Sequence, residues 1–259
     1  PSIYALSSCP ILLAYIDGVI TVFMILFGIN FNLFYLLLLR QFKPVWKNEE
    51  LRTYLAIIAT AIALITWNIT SIYGNPLKAF RYAAFQVASI ITTTGFSTAD
   101  YMKWPTMSQT IIIILMIIGA CASSTGGGIK VSRFLIVVKS IKKELKQMVH
   151  PKSVNLIRIN GKKMNPDIVF VYLVAYAGIA GLSVLLVSID DFDFATNLGS
   201  VMGTLNNIGP GLGVSGPAGN FAQFSPFSKL VFCMDMLIGR LEIFPFLMLF
   251  TSISWRKKF

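Results

Sequence analysis

Ser89-Ile90-Ile91-Thr92-Thr93-Thr94-Gly95-Phe96-Ser97 closes an apolar run, Leu77 to Ile91, that is too short to cross a bilayer. A helix there, rising about 1.5 Å per residue, covers roughly two thirds of a hydrocarbon core about 30 Å thick. The chain must therefore turn back at membrane depth, where protein or water has to shield its backbone. Gly95 permits a backbone geometry that a side chain forbids, and the threonines before it let carbonyl oxygens face a common axis instead of closing another helical turn. A second stretch, Asn206-Asn207-Ile208-Gly209-Pro210-Gly211, follows the short run Phe194 to Leu205 in the same way. Turns of this kind replace the hydration shell of a cation, and helices entering from outside aim the negative ends of their dipoles at it. The plainer alternative is a pair of surface turns that happen to be rich in Gly, Thr and Asn.

The surrounding composition makes a membrane the solvent. The chain of 259 residues is 55% hydrophobic and 13% charged, and its apolar residues lie in long blocks rather than in the stripe of a water-facing helix. The blocks are Ile11 to Leu39, Leu51 to Tyr73, Ile111 to Ile118, Ile168 to Ile189 and Leu230 to Ile253. All but the third suffice for a span of about 20 residues, and the third crosses only if the segment after it continues inward.

Basic residues set the orientation. Arg40, Lys43, Lys47 and Arg52 separate the first two blocks, a series from Lys130 to Lys163 separates the third from the fourth, and Arg256, Lys257 and Lys258 end the chain. These regions are expected on the cytoplasmic side, and Asp190, Asp191 and Asp193 outside. The net charge of +11 thus marks topology, helped by anionic lipid heads, and no aromatic-studded module accompanies it that would bind nucleic acid. Cys9, Cys121 and Cys233 have no metal-ligand or disulfide spacing, and the single histidine, His150, sits in a basic loop beside Pro151. Thr125-Gly126-Gly127-Gly128-Ile129-Lys130 lacks the glycine spacing and the Lys-Ser/Thr ending of a phosphate-binding loop. No catalytic constellation emerges, so an enzyme is not expected.

A span, a half-length segment, a glycine-centred turn and another span occur twice. The expected organisation is the last helix of a preceding repeat (1–42), a helix–pore loop–helix repeat with a cytoplasmic helical extension (43–149), a linker hairpin (150–166) and a second such repeat (167–259). The absence of an initial methionine and the immediate start in a span suggest part of a longer protein. The fold expected is an all-α integral membrane protein with re-entrant half-helices.

Thr94-Gly95-Phe96-Ser97, Ser123-Ser124-Thr125-Gly126-Gly127-Gly128-Ile129-Lys130, Asn207-Ile208-Gly209-Pro210-Gly211 and Gly239-Arg240-Leu241-Glu242, in this order, resemble the Trk/Ktr potassium-uptake family. The likeness extends to Gly28-Ile29-Asn30-Phe31-Asn32, Phe250-Thr251 and Trp255-Arg256, and so covers essentially the whole chain. It implies part of a pseudo-fourfold, potassium-channel-like pore: the end of a second repeat and all of a third and fourth. It makes the carbonyls near Thr93, Thr94 and Gly95, and near Asn207, Ile208 and Gly209, ligands of potassium. No covalent cofactor is implied; sodium or protons are the companion ions in question.

Below these turns, Gly119 to Gly128 interrupts an apolar helix. Glycine costs about 1 kcal/mol against alanine in a helix interior, so three in a row favour a loop; close helix packing through small residues is the alternative. The resemblance makes Ser123, Ser124, Thr125, Gly126, Gly127 and Gly128 an intramembrane gate, with Arg240 a pore-lining charge. Arg240 is also open to a structural role, neutralised by Asp235 and Glu242. Between Ile129 and Val149, Phe134, Val138, Ile141, Leu145 and Met148 recur at helical spacing opposite Lys142, Lys143 and Lys146, which predicts an amphipathic helix. Val154 to Met164, with Asn160-Gly161 at its centre, predicts a hairpin. The family likeness places a cytosolic nucleotide-binding regulatory ring against this region, a second copy in a homodimer, and the protein in the inner membrane with its C-terminus cytoplasmic. The competing function is a secondary carrier whose broken helices bind an organic solute; a non-conducting assembly partner is a third.

Overall fold

The computed structural model describes residues 10–150, 156–241 and 243–249. Cys9, Pro151, Lys152, Val154, Glu242 and the residues from Phe250 onward lie outside it. The first apolar block is not one straight helix. Helices α1 (Pro10–Phe27) and α2 (Phe31–Leu38) meet at a bend of 94°. Hydropathy alone could not register the break, because its causes are contacts: a Cβ on Gly28 would collide with the Tyr54 hydroxyl, and the Asn30 side chain accepts the Asn32 N–H at 2.9 Å, starting a new helix.

A short α3 (Phe42–Trp46) leads to α4 (Glu49–Tyr73), α5 (Pro76–Ile91) and α6 (Thr106–Ile117). Asn48 caps α4 by accepting the Leu51 N–H at 3.0 Å, with Glu49 and Glu50 favourably placed at the positive end of the dipole. Gly74, left-handed at φ 61°, ends α4, and Asn75 and Pro76 start α5 at once as cap and first residue. After α7 (Val131–Val149) and a hairpin of β1 (Arg158–Ile159) and β2 (Lys162–Lys163), the order recurs as α8 (Pro166–Val187), α9 (Phe194–Leu205) and α10 (Pro226–Leu241). Asn165 with Pro166 starts α8, and Asp193 caps α9 through the Thr196 N–H. Helical residues Ile243–Leu249 (α11) complete the described part of the last apolar block. The Asn160-Gly161 turn has positive φ at both residues, 50° and 79°, the geometry a two-residue hairpin needs.

Length separates the roles of the helices. Helices Glu49–Tyr73 and Pro166–Asp190 are long and apolar enough to cross a membrane, yet only 22% and 28% of their most apolar stretches are buried. Their exposed apolar faces suit lipid. The shorter α5 and α9 expose their first turns, at Leu77, Phe80 and Phe194, and are covered beyond them, with Ala83, Phe85, Val87 and Ile91, and Val201 and Leu205, buried. An ion pair ties α1 to α5: Arg81 Nε and Nη2 donate to Asp17 Oδ2 at 2.8 and 2.6 Å. Neither charge is tolerable alone in a hydrocarbon environment.

Candidate ion-binding site

Helices α5 and α9 end identically. The Thr94 N–H donates to Ser89 O at 2.9 Å and the Thr93 N–H to Ile90 O at 3.1 Å; the Ile208 N–H donates to Gly203 O at 2.8 Å and the Asn207 N–H to Thr204 O at 2.9 Å. This pair of closing bonds needs a left-handed residue just past the cap. Thr93 (φ 54°) and Asn207 (φ 56°) supply it, followed two residues on by Gly95 (φ 80°) and Gly209 (φ 105°). Sequence reasoning assigned the unusual backbone to the glycines alone; the threonine was missed because β-branched residues seldom adopt this conformation.

The two turns abut. A Cβ on Gly95 would overlap the Ile208 carbonyl oxygen and lie 3.3 Å from Pro210 Cδ. Across the same junction the Tyr101 hydroxyl donates to Gly211 O at 2.6 Å. Thr93, Thr94, Gly95, Asn207, Ile208 and Gly209 therefore share one locality. Their side chains are engaged elsewhere: Thr93 Oγ1 accepts the Gly127 N–H at 2.8 Å, Thr94 Oγ1 bonds Thr92 Oγ1 at 2.8 Å, and Asn207 Nδ2 donates to Met236 O at 3.1 Å. Among the described residues no hydrogen-bond donor reaches the carbonyl oxygens of these six. Buried Asn206 props up the second turn, accepting from the Tyr176 hydroxyl at 3.0 Å and donating to Met202 O at 3.0 Å.

The glycine-rich segment between α6 and α7 is a loop pressed against both turns. A Cβ on Gly127 would strike the Asn206 carbonyl oxygen, and one on Gly126 would lie 3.3 Å from Thr92 O. The loop is tied at its start: the Cys121 N–H donates to Gly28 O at 3.1 Å, the Ala122 N–H to Glu50 Oε1 at 2.6 Å, and Ser123 O accepts the Phe31 N–H at 3.2 Å. Ser123, Ser124, Thr125, Gly126, Gly127 and Gly128 line one side of a polar cavity of about 430 Å³, with Tyr172, Gly239 and Arg240 opposite. Arg240 Nη1 donates to Thr125 O at 3.0 Å, and Lys130 Nζ donates to Gly126 O. Two cationic side chains thus hold carbonyls of one loop. Asp235, expected beside Arg240, instead accepts from Ser183 Oγ at 2.6 Å; Glu242 lies outside the described residues. Lys130 and Glu50 were not singled out from sequence. A lysine ending a glycine run reads as a topology marker, and a glutamate at a helix start as a dipole partner, until the fold brings the loop to them.

Two helices long and apolar enough to span a membrane, with shorter buried helices that end in loops over a polar cavity, define an all-α integral membrane protein. Residues 12–257 match the TrkH family, described as cation transport protein. The chain is 37% identical over 249 residues to the Trk system potassium uptake protein TrkH of Salmonella typhimurium, covering 93% of this chain and 51% of that one. It is 36% identical to the protein of the same name from Escherichia coli K12, with the same coverage. The crystal structure of the potassium transporter TrkH from Vibrio parahaemolyticus superimposes with a TM-score of 0.87 at 33% identity, covering 98% of this chain and 55% of that one. The chain belongs to the TrkH family, and it spans about half the length of the curated relatives it matches.

Proposed function

We propose that this chain supplies part of the pore of a potassium-uptake system in a bacterial inner membrane. Carbonyls of Thr93, Thr94, Gly95, Asn207, Ile208 and Gly209 replace part of the water around a potassium ion, and residues 123–128 with Arg240 form the barrier below them. The observation that carries this reading is the meeting of two unlike loops, each ending a half-helix, with six carbonyl oxygens that no described donor engages. Helices α5 and α9 present their C-terminal ends to that place, which favours a cation and disfavours the anionic group an organic-solute carrier would bind at helix N-termini. The same proposal divides the chain into 1–42, 43–149, 150–166 and 167–259. It assigns the hairpin and α7 to a cytosolic nucleotide-binding regulatory ring, a second copy as dimer partner, the C-terminus to the cytoplasm and sodium or protons as the companion ion.

Rubidium uptake by the intact protein, in cells lacking their own potassium uptake, tests this. Gly95→Ser and Gly209→Ser each lower the preference for rubidium over sodium. Unchanged preference in both, at equal membrane abundance, would sink the assignment.

A further inference from the structure

A long groove runs down the outer side of the first repeat, away from the ion site. It has a volume of about 700 Å³ and follows α4 from Arg52 to Leu64, floored by α6 and closed at one end by α7. At 1.5 Å per residue that path is about 18 Å, a little over half of a hydrocarbon core about 30 Å thick, and so the depth of one leaflet. A second apolar recess of about 250 Å³ adjoins it between α6, α7 and α8, and the two share Ile114, Ile118 and Phe134 as a common ridge. Two hydrocarbon slots therefore open on either side of one ridge.

Apart from Thr53 and Thr60 the groove is apolar except at one end, where Glu49, Arg52 and Lys139 stand together. Lys139 is spent on Glu49, with which it pairs, and on Arg158 O at 2.7 Å. Among the described residues no hydrogen bond or ion pair engages the exposed Arg52 guanidinium. Beyond the mouth, α7 continues with Lys142, Lys143 and Lys146, of which Lys143 lies 3.9 Å from Glu144. The charge left over at the mouth is positive, with its donors facing the level at which lipid phosphates lie.

We infer that this groove is a binding site for one anionic diacyl phospholipid, its phosphate at Arg52 and its two chains in the two recesses. A headgroup with net negative charge is selected over a zwitterion because Arg52 has no carboxylate of its own. One basic residue near an anionic surface supplies about 1 kcal/mol, which is about a fivefold preference.

Native mass spectrometry of the detergent-purified protein, titrated with phosphatidylglycerol or phosphatidylcholine carrying the same acyl chains, tests the inference. Phosphatidylglycerol binds about fivefold tighter; Arg52→Gln brings the ratio close to one, and Arg52→Lys restores most of it. Thr60→Trp, at an exposed position inside the groove, removes the tightest-bound lipid of either kind without lowering the melting temperature. Equal binding of the two lipids by the unaltered protein overturns the inference, as does an Arg52→Gln variant that keeps the preference or a Thr60→Trp variant that keeps the lipid. Displacement by glycerophosphoglycerol, which has no tails, would make the mouth a simple anion site. Disulfide cross-linking of two Ala56→Cys copies through this face, unaffected by added lipid, would make the groove a subunit contact instead. Either result refutes the lipid assignment.

Discussion

Gly126 and Gly127 are neighbours, neither has a positive φ, and alanine at either keeps the backbone in an ordinary region. What differs is the space around them. A Cβ on Gly126 has as its nearest neighbours Ala120 Cβ at 3.0 Å and Thr92 O at 3.3 Å, a squeeze relieved by a few tenths of an ångström. A Cβ on Gly127 lands inside the contact radius of the Asn206 carbonyl oxygen, a backbone atom in the turn that ends α9. Restoring a normal separation requires one loop to retreat by on the order of 1 Å, and the Gly127 N–H bond to Thr93 Oγ1 at 2.8 Å is lost with it. Overpacking of this kind costs about 1–3 kcal/mol. If the glycine-rich loop is the barrier, that energy is removed from the blocked arrangement, and a bias of about 1–3 kcal/mol shifts the equilibrium toward conduction by about 5–150-fold. Rubidium entry into proteoliposomes holding Gly127→Ala therefore rises by that factor at rest, whereas Gly126→Ala stays within about threefold of the unaltered protein. Equal resting entry through the two variants, at matched incorporation and melting temperature, would refute the reasoning.

Asp17→Asn leaves the half-buried Arg81 guanidinium without its counter-ion, at a cost below the about 3–5 kcal/mol of a fully buried pair; monodisperse protein measured by size-exclusion chromatography falls, and Asp17→Leu combined with Arg81→Met recovers most of it. Asp193 has its carboxyl held below its ordinary value of 3.8 by the Thr196 hydroxyl that donates to it, against a smaller opposing effect of burial. A depressed folded pKa stabilises fully above the unfolded value and ceases to do so as pH falls through the folded one. The melting temperature of the unaltered protein therefore exceeds that of Asp193→Asn by a constant margin above about pH 5, and the margin closes below about pH 4; a margin independent of pH would show that the carboxylate charge contributes nothing.

The elements legible in the sequence are those that depend on local chemistry. The half-helices are signalled by Asn75-Pro76 and Asp193 at their starts and by apolar runs too short to span, and α7 by its spacing of apolar residues. The Asn160-Gly161 turn is a signal that works over two residues. What stayed hidden depends on partners distant in sequence. The 94° bend after α1 needs Tyr54 beside Gly28, and Arg240 finds a carbonyl in the loop between α6 and α7, 115 residues away in sequence. Thr93 in a left-handed conformation is stabilised by the Gly127 N–H that its hydroxyl accepts, a contact between two loops 34 residues apart in one repeat. The candidate ion ligands were named from the turn residues and a family likeness; that the two turns touch is information only the fold carries.

The first turn of α4 has one further consequence. Glu50 grips the start of the glycine-rich loop through the Ala122 N–H at 2.6 Å, while its neighbour Glu49 pairs with Lys139 of α7 and donates its own N–H to Asn160 Oδ1 of the hairpin at 2.9 Å. Two successive peptide units of a rigid rod are thus yoked to opposite loads. The hairpin and the glycine-rich loop are therefore anchored at adjacent residues of one helix, Glu49 and Glu50.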